Sequence, residues 1–285
     1  MNNRVKTGII GGSGLYNLPQ LAQAQNLSIE TPFGRPSGDF IVGKIEGETV
    51  AFLPRHGSGH VFNPSEVNYR ANIWGMKKLG VETLISVSAV GSLREELKPG
   101  TLILIDQFID RTKSLRPATF FEGGMVAHVS FADPVCRCLC GHLEQSAHSE
   151  GISVVRGGTY VCIEGPAFSS RAESHLHRAW GASVVGMTNL TEAKLAREAQ
   201  MCFATIAIAT DYDCWREGDD IDLNHLIQVL NQGTEQARKV LVRAIPGLSA
   251  LSRSCRCRES LKTAVFTQPE MQSAAVRDKL AVLFS

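Results

Sequence analysis

"TGIIGGSGLYNLP", Thr7 to Pro19, sets a short apolar run against a cluster of glycines with one serine inside it. How it is read decides the fold. One reading is the phosphate loop of a dinucleotide-binding domain, which needs G-x-G-x-x-G opening a helix and an acid about 20 residues further on. The spacing speaks against it. The glycines are Gly8, Gly11, Gly12 and Gly14, and the position three after Gly14 is Asn17. Pro19 then interrupts, and Gln20 to Gln25 carries no clear apolar stripe. The other reading is a strand end followed by a tight turn. That turn is either a plain glycine turn or a cradle in which backbone N–H groups and the Ser13 hydroxyl hold an oxyanion.

Bulk properties narrow the rest. With 285 residues the chain can bury a sizeable core, as one large α/β domain or two smaller ones. Hydrophobic residues make up 44% and charged residues 20%, and the formal net charge is +1. Such a balance offers no field for nucleic acid or an anionic membrane. No apolar run reaches the ~18 residues of a membrane span, and the N-terminal apolar stretch is too short for a secretion signal. A cytoplasmic protein is expected. Eight cysteines are present, with Cys136, Cys138 and Cys140, and again Cys255 and Cys257, at C-x-C spacing, which is not the usual zinc pair. Reduced thiols and no metal are expected for that compartment.

Short β-branched runs alternate with helical patterns. Strands are expected at 6–10, 40–45, 49–53, 83–88, 101–105, 159–163, 183–186 and 203–209. Several are continuously apolar, as in strands covered on both faces. Helix starts are marked by "NPSE" (Asn63, Glu66), "DP" (Asp133, Pro134), "SRAE" (Ser170, Glu173), "NLTE" (Asn189, Glu192) and Asp222. Gly80 and Gly181 mark two helix ends, and a last amphipathic stretch runs from 269 to 283. The alternation predicts an α/β fold with a largely parallel sheet.

In such sheets ligands sit at the strand C-terminal ends. The residues found there are Gly11–Gly14, then "PRHGSGH" with Arg55, His56 and His60, then "SAVGSL" from Ser88, then Met187-Thr188, and finally "TDYDCW" with Asp211, Asp213 and Trp215. Hydroxyls, an arginine, a histidine and glycine-exposed amides suit a tetrahedral oxyanion. Two carboxylates ending an apolar strand suit a buried polar ring or a proton transfer. Taken singly, each has a bland reading: a surface turn for Arg55-His56, a backbone-satisfied hydroxyl for Ser88, caps or ion-pair partners for the aspartates. Their convergence favours a site.

The ordered motifs "GIIGGSGL", "TPFGRPS", "RHGSGH", "NPSEVNYRANIW", "GSLREELKPG", "DQFIDRT", "IEGPAFSSRAES", "WGASVVGMT" and "ATDYDCW" resemble the methylthioadenosine branch of the trimeric purine nucleoside phosphorylases. They span Gly8 to Trp215; the last part, about 248–285, matches weakly. The resemblance implies a purine nucleoside phosphorylase-like fold, a single α/β domain over 1–285 with a mixed, largely parallel central sheet flanked by helices, and a homotrimer or dimer of trimers. It implies inorganic phosphate as co-substrate, no resident cofactor, and the cleavage of methylthioadenosine to adenine and 5-methylthioribose 1-phosphate. It matches Ser13, Arg55, His56, Ser88, Ala89 and Thr188 to phosphate ligands. It matches Met187 to the ribose, Phe168 and Ser169 to the base, and Leu223, Leu226 and Ile227 to the wall around the 5′ group. His128 matches a residue donated across the trimer interface. Asp211 and Asp213 match the purine-reading acids, Asp211 as general acid and Asp213 as acceptor from a 6-amino group. A 6-oxopurine nucleoside such as methylthioinosine or inosine is the alternative substrate. Ala167 stands where many members carry arginine, and "TNLTEAKLARE" lacks the common proline. The C-x-C at Cys255 and Cys257 resembles thermostable members in which that pair is oxidised.

Overall fold

The apolar run Thr7–Gly11 becomes the first strand, β1, buried at all five positions. The structure is a computed structural model describing residues 5–12, 15, 19–113, 115–216, 223–251 and 255–285, the side chains of 223, 249 and 250 excepted. The expectations for Ser13, for the cap at Asp222 and for the Leu223 side chain therefore lie outside the described residues. In chain order β1 is followed by β2 (Ala22–Leu27), β3 (Phe40–Ile45), β4 (Glu48–Pro54), α1 (Tyr69–Leu79), β5 (Thr83–Ser92), β6 (Leu102–Leu104) and β7 (Gln107–Arg111). Next come α2 (Arg137–Ser149), β8 (Val154–Arg156), β9 (Thr159–Ile163), α3 (Arg171–Ala179), β10 (Val184–Gly186), α4 (Asn189–Glu198), β11 (Cys202–Asp211), α5 (Leu223–Leu251) and α6 (Ala274–Leu280).

The strands form one mixed sheet of a single α/β domain. Its spine is β5, which lies parallel to β1 and β11 and, at its far end, antiparallel to β10. Parallel pairing also joins β1 to β4, β9 to β10 and β7, and β6 to β8. Antiparallel pairing joins β2 to β3, β3 to β4 and β6 to β11. The central strands are covered on both faces, so β5 is buried from Thr83 to Ser88 and β11 from Cys202 to Thr210. The sequence misses β2, β7 and β8. All six residues of β2 are exposed, and its pairing with β3 is backbone-only, with no apolar alternation to signal it.

Helix starts follow local chemistry with corrections at "NPSE" and "DP" and at "NLTE", where Thr188 rather than Asn189 takes the N-cap position of α4 and no side chain caps it. "NPSE" forms its reciprocal cap: the Asn63 Oδ1 accepts from Ser65 N and Glu66 N, and the Glu66 carboxylate accepts from Asn63 N. It closes an isolated turn. The helix itself starts at Tyr69, where the Asn68 side chain accepts from Ala71 N. The turn is thus one of two competing Asn caps, and the downstream one is continuous with the buried stripe of α1. Likewise α2 begins at Arg137 rather than at Asp133, which instead pairs with Arg137. Ser170 and Glu173 make the expected capping box on α3, and Gly80 takes the left-handed conformation that ends α1.

The weakly matching end is part of the same core: Leu261, Ala264, Leu280 and Leu283 are buried in it. Trp74 Nε1 donates to Lys279 O and Gln200 Nε2 to Leu283 O. All eight cysteines are free thiols, so Cys255 and Cys257 are not bonded to each other. Their side chains join a different group of sulfurs. Among the described residues no helix is long and apolar enough to cross a membrane.

Candidate active site

The C-terminal ends of β1, β4, β5, β10 and β11 converge on one cavity of about 650 Å³. Gly12 follows β1, Arg55 and His56 follow β4, and Met187 and Thr188 follow β10. Ser88 to Gly91 belong to the end of β5, and Thr210 and Asp211 to the end of β11, with Asp213 just beyond. Leu226, Leu230 and Thr234, four residues apart on α5, add an apolar wall. Pro166, Phe168 and Ser169 line another side from the loop after β9.

At one end lies a buried cation. Arg55 is only 2% exposed and forms an ion pair with Glu192, whose side chain is equally buried. Nε and Nη2 donate to the two Glu192 oxygens, Nη2 also reaches Ser86 Oγ at 2.6 Å, and Nη1 donates to Val87 O at 3.1 Å. Burial disfavours the charge on Arg55, but Glu192 outweighs that and raises its pKa. Of the five N–H donors of a guanidinium, one on Nη1 is left for a cavity ligand. Burial, and next the Arg55 charge, push His56 down to about 4. His56 is therefore neutral near pH 7. Its Nδ1 lies 2.8 Å from Phe62 O, an acceptor, which assigns the proton to Nδ1 and leaves Nε2 unprotonated. The Thr188 hydroxyl is buried and has no hydrogen-bond partner among the described residues. Ser88 Oγ makes a long 3.2 Å contact with its neighbour's carbonyl. Two such hydroxyls beside a guanidinium can hold a tetrahedral anion.

At the other end stand two aspartates. The register of β11 on β5 jumps between Ala209 and Asp211, which leaves Thr210 opposite no partner. This bulge re-aims the strand end. Asp211 accepts from Thr210 Oγ1 and Asp213 N, each at 2.7 Å. Burial raises the pKa of both carboxyls, and for Asp211 the charge of Asp213 adds to it. Asp213 sits at φ +51, a conformation unusual for a non-glycine residue. Gly91 makes room for the pair: a Cβ there would lie 3.1 Å from Asp211 Oδ1 and 3.2 Å from Asp213 Cβ. Trp215, expected beside the acids, does not line the cavity; its Nε1 donates to Ser92 O and Arg178 stacks on its ring.

The cavity therefore brings together Arg55, His56, Ser88, Ala89, Thr188, Phe168, Ser169, Met187, Leu226, Asp211 and Asp213. It does not include Ile227, which is half-exposed, or His128, which is exposed and packs edge-on against Phe266 at 4.9 Å. In the helix, Leu226 and Ile227 point about 100° apart, so one turn of α5 cannot present both. The i+4 partners of Leu226 — Leu230 and Thr234 — are the positions the sequence spacing could have supplied. Glu192, a cap acid by its sequence position, is instead the counter-ion that holds Arg55, together with Ser86 and Asn189. His60, one of the strand-end residues expected at the site, also lines the cavity and stacks on His56 with ring centroids 4.3 Å apart.

The sequence model of the phosphorylase superfamily matches residues 6–246. A curated relative from Geobacter sulfurreducens, an S-methyl-5′-thioadenosine phosphorylase, is 50% identical over 277 residues, covering 97% of this chain and 96% of its own length. A methylthioadenosine phosphorylase from an antarctic soil metagenomic library superposes with a TM-score of 0.94 at 45% identity, covering 99% of this chain and all of the other. A serine-to-threonine mutant of the Schistosoma mansoni adenosine/methylthioadenosine phosphorylase, solved with methylthioadenosine, gives a TM-score of 0.81 at 33% identity, covering 90% of this chain and 98% of the other.

Proposed function

The chain belongs to the phosphorylase superfamily, and we infer that it is an S-methyl-5′-thioadenosine phosphorylase. It cleaves methylthioadenosine with inorganic phosphate, giving adenine and 5-methylthioribose 1-phosphate. The observation supporting this most directly is that one cavity joins the unpartnered Thr188 hydroxyl and Arg55 to a pair of buried aspartates.

In this reading phosphate sits among Arg55, His56, Ser88, the Ala89 amide and Thr188, with Ser13 completing the set. The anion lies beneath C1′ of the sugar, where its charge stabilises an oxocarbenium-like transition state. The C1′–N9 bond breaks and its electrons pass to the purine. Asp211, protonated, hydrogen-bonds or donates to N7 so that the base does not leave as a bare anion. A phosphate oxygen then forms the new bond to C1′, and no covalent enzyme intermediate is needed. Asp213, ionised, accepts from the 6-amino group. A 6-oxopurine offers a second acceptor there, and leaving buried polar groups unpaired discriminates by roughly 10⁴-fold. Met187 lies under the ribose and Phe168 and Ser169 border the base. Leu226, with Leu230 one turn on, borders the methylthio group.

The reading also includes a homotrimer or dimer of trimers, in which His128 of one chain reaches the 5′ pocket of a neighbour. It places the enzyme in the cytoplasm, without a resident cofactor. The test is to incubate the protein with methylthioadenosine, with and without phosphate. Adenine is expected only when phosphate is present. Phosphate-independent adenine release, or none at all, overturns the reading.

A further inference from the structure

Four of the eight cysteines, Cys136, Cys202, Cys255 and Cys257, bring their sulfurs within 4.8 Å of one another, far from the strand ends that form the cavity. We propose that these four thiols form a structural zinc site.

The four come from three segments remote in sequence. Cys136 is the residue just before α2, Cys202 opens β11, and Cys255 and Cys257 lie at the start of the C-terminal segment. Their backbones are fixed independently of the sulfurs. Cys136 N donates to Phe203 O at 2.8 Å, and Cys202 N donates to Glu82 O at 2.9 Å. Cys257 opens a short 3-10 turn closed by Glu259 N on Arg256 O. Three of the four thiols are buried and the fourth is partly so. Buried cysteines commonly pack as small hydrophobes, but chance packing does not gather half of a chain's thiols at one point. The other four are not part of this cluster.

The geometry fits the ion. Zinc bound by four thiolates has Zn–S near 2.3 Å, which puts the corners of the tetrahedron about 3.8 Å apart. The four sulfurs lie within 4.8 Å of one another, with Cys202 and Cys255 at 3.1 Å. That contact is well beyond the ~2.05 Å of a disulfide. An all-sulfur tetrahedral set suits zinc over the hard cations that prefer oxygen. Ligation forms four Zn–S bonds, releases the four thiol protons to solvent and leaves zinc divalent, so no oxidant is required. The ion would tie the C-terminal segment to the starts of α2 and β11, cross-linking chain more than fifty residues apart in sequence. C-x-C spacing conceals such a site from sequence reading, because the remaining ligands lie in other elements.

The full-length protein, purified without chelator from zinc-supplemented medium, is expected to carry one zinc per chain by elemental analysis. Denatured with chelator, it is expected to give eight reactive thiols. Exchange with Co²⁺ is expected to give the sulfur-to-cobalt charge-transfer band and intense visible bands of a tetrahedral tetrathiolate. Cys255→Ser is expected to lose the metal and the cobalt spectrum, while Cys138→Ser, outside the cluster, keeps both. Chelation is expected to lower the thermal midpoint of the native protein and to leave that of Cys255→Ser unchanged. If Cys255→Ser fails to fold, metal content, thiol count and cobalt spectrum of the native protein still decide. A metal-free protein with eight thiols and no cobalt spectrum overturns the proposal. So do a count of four thiols, which means two disulfides, and a preparation that holds iron in place of zinc.

Discussion

Arg55 illustrates how burial changes what a mutation reports. It faces the cavity, yet most of its donors serve Glu192, Ser86 and Val87. Arg55→Ala strips the partner from a carboxylate whose side chain is 2% exposed. It is expected to cost about 3–5 kcal/mol of stability in urea denaturation, besides any loss of phosphate binding. Thr188→Val separates the two effects. It removes a buried hydroxyl that has no protein partner, so stability is expected to hold within ~1 kcal/mol. The KM for phosphate is expected to rise about tenfold, as for loss of one hydrogen bond to a charged group. Unchanged phosphate saturation in Thr188→Val would remove that hydroxyl from the cradle. The aspartates give a pH prediction. Asp211 must be protonated to assist the leaving base, so activity falls as pH rises through its folded pKa. Burial, and then the charge of Asp213, raise that pKa above the usual carboxylate value. Asp213→Asn removes the like charge and is expected to move the basic limb of kcat/KM to lower pH. Asp211→Asn is expected to lower kcat by ~10²–10⁴-fold and to abolish that limb. A limb unmoved in both variants would assign the proton elsewhere.

At the scale of elements, the site depends on how two ten-residue strands end. The strands β5 and β11 run in parallel register from Cys202 opposite Thr83 to Ala209 opposite Val90, and the bulge at Thr210 then turns Asp211 toward the cavity. Gly91 on β5 is the matching feature. Gly91→Ala sets a methyl against Asp211 Oδ1, Asp213 Cβ and the Val185 side chain, so the acids must shift by a few tenths of an ångström. Turnover is expected to fall about tenfold with KM for phosphate unchanged, because displacement rather than binding is affected. Stability is expected to drop by about 1–3 kcal/mol, the usual range for overpacking, read from the denaturation midpoint. Helix caps show the limit of short-range reading. The capping box at Ser170 starts α3 as its sequence indicates. The same chemistry at Asn63 forms but starts no helix, since the buried stripe of α1 begins only at Tyr69. A cap satisfies two or three N–H groups; burial of the following turns decides whether a helix continues.

For the whole molecule, the sheet's mixed topology decides which residues can meet. The antiparallel seam between β5 and β10 brings Met187 and Thr188 beside Ser88 and Asp211, although these residues are far apart in sequence. His128 lies outside this chain's cavity and is exposed, as a residue lent to a neighbour would be. His128→Ala is expected to alter the preference for methylthioadenosine over adenosine by up to ~10-fold. Mixed oligomers of His128→Ala with Asp211→Asn are expected to recover the native preference, because some sites receive both intact residues. Absence of recovery in assays of the mixture would exclude a shared site. The alternation of apolar runs with capped helical segments determined by itself the α/β class, the largely parallel sheet and the strand ends to search, since burial on two faces leaves an unbroken hydrophobic signal. Of the polar residues at those ends, Arg55, His56, Ser88, Thr188, Asp211 and Asp213 all line the cavity. Only the tertiary structure decided that Arg55 is held by Glu192, that Ile227 turns away while Leu230 and Thr234 face inward, and that edge strand β2 exists at all. It alone gathered Cys136, Cys202, Cys255 and Cys257. Ion pairs, helix rotation, backbone-only pairing and sulfur clustering depend on distances between remote segments, and those distances are set by how the layers pack.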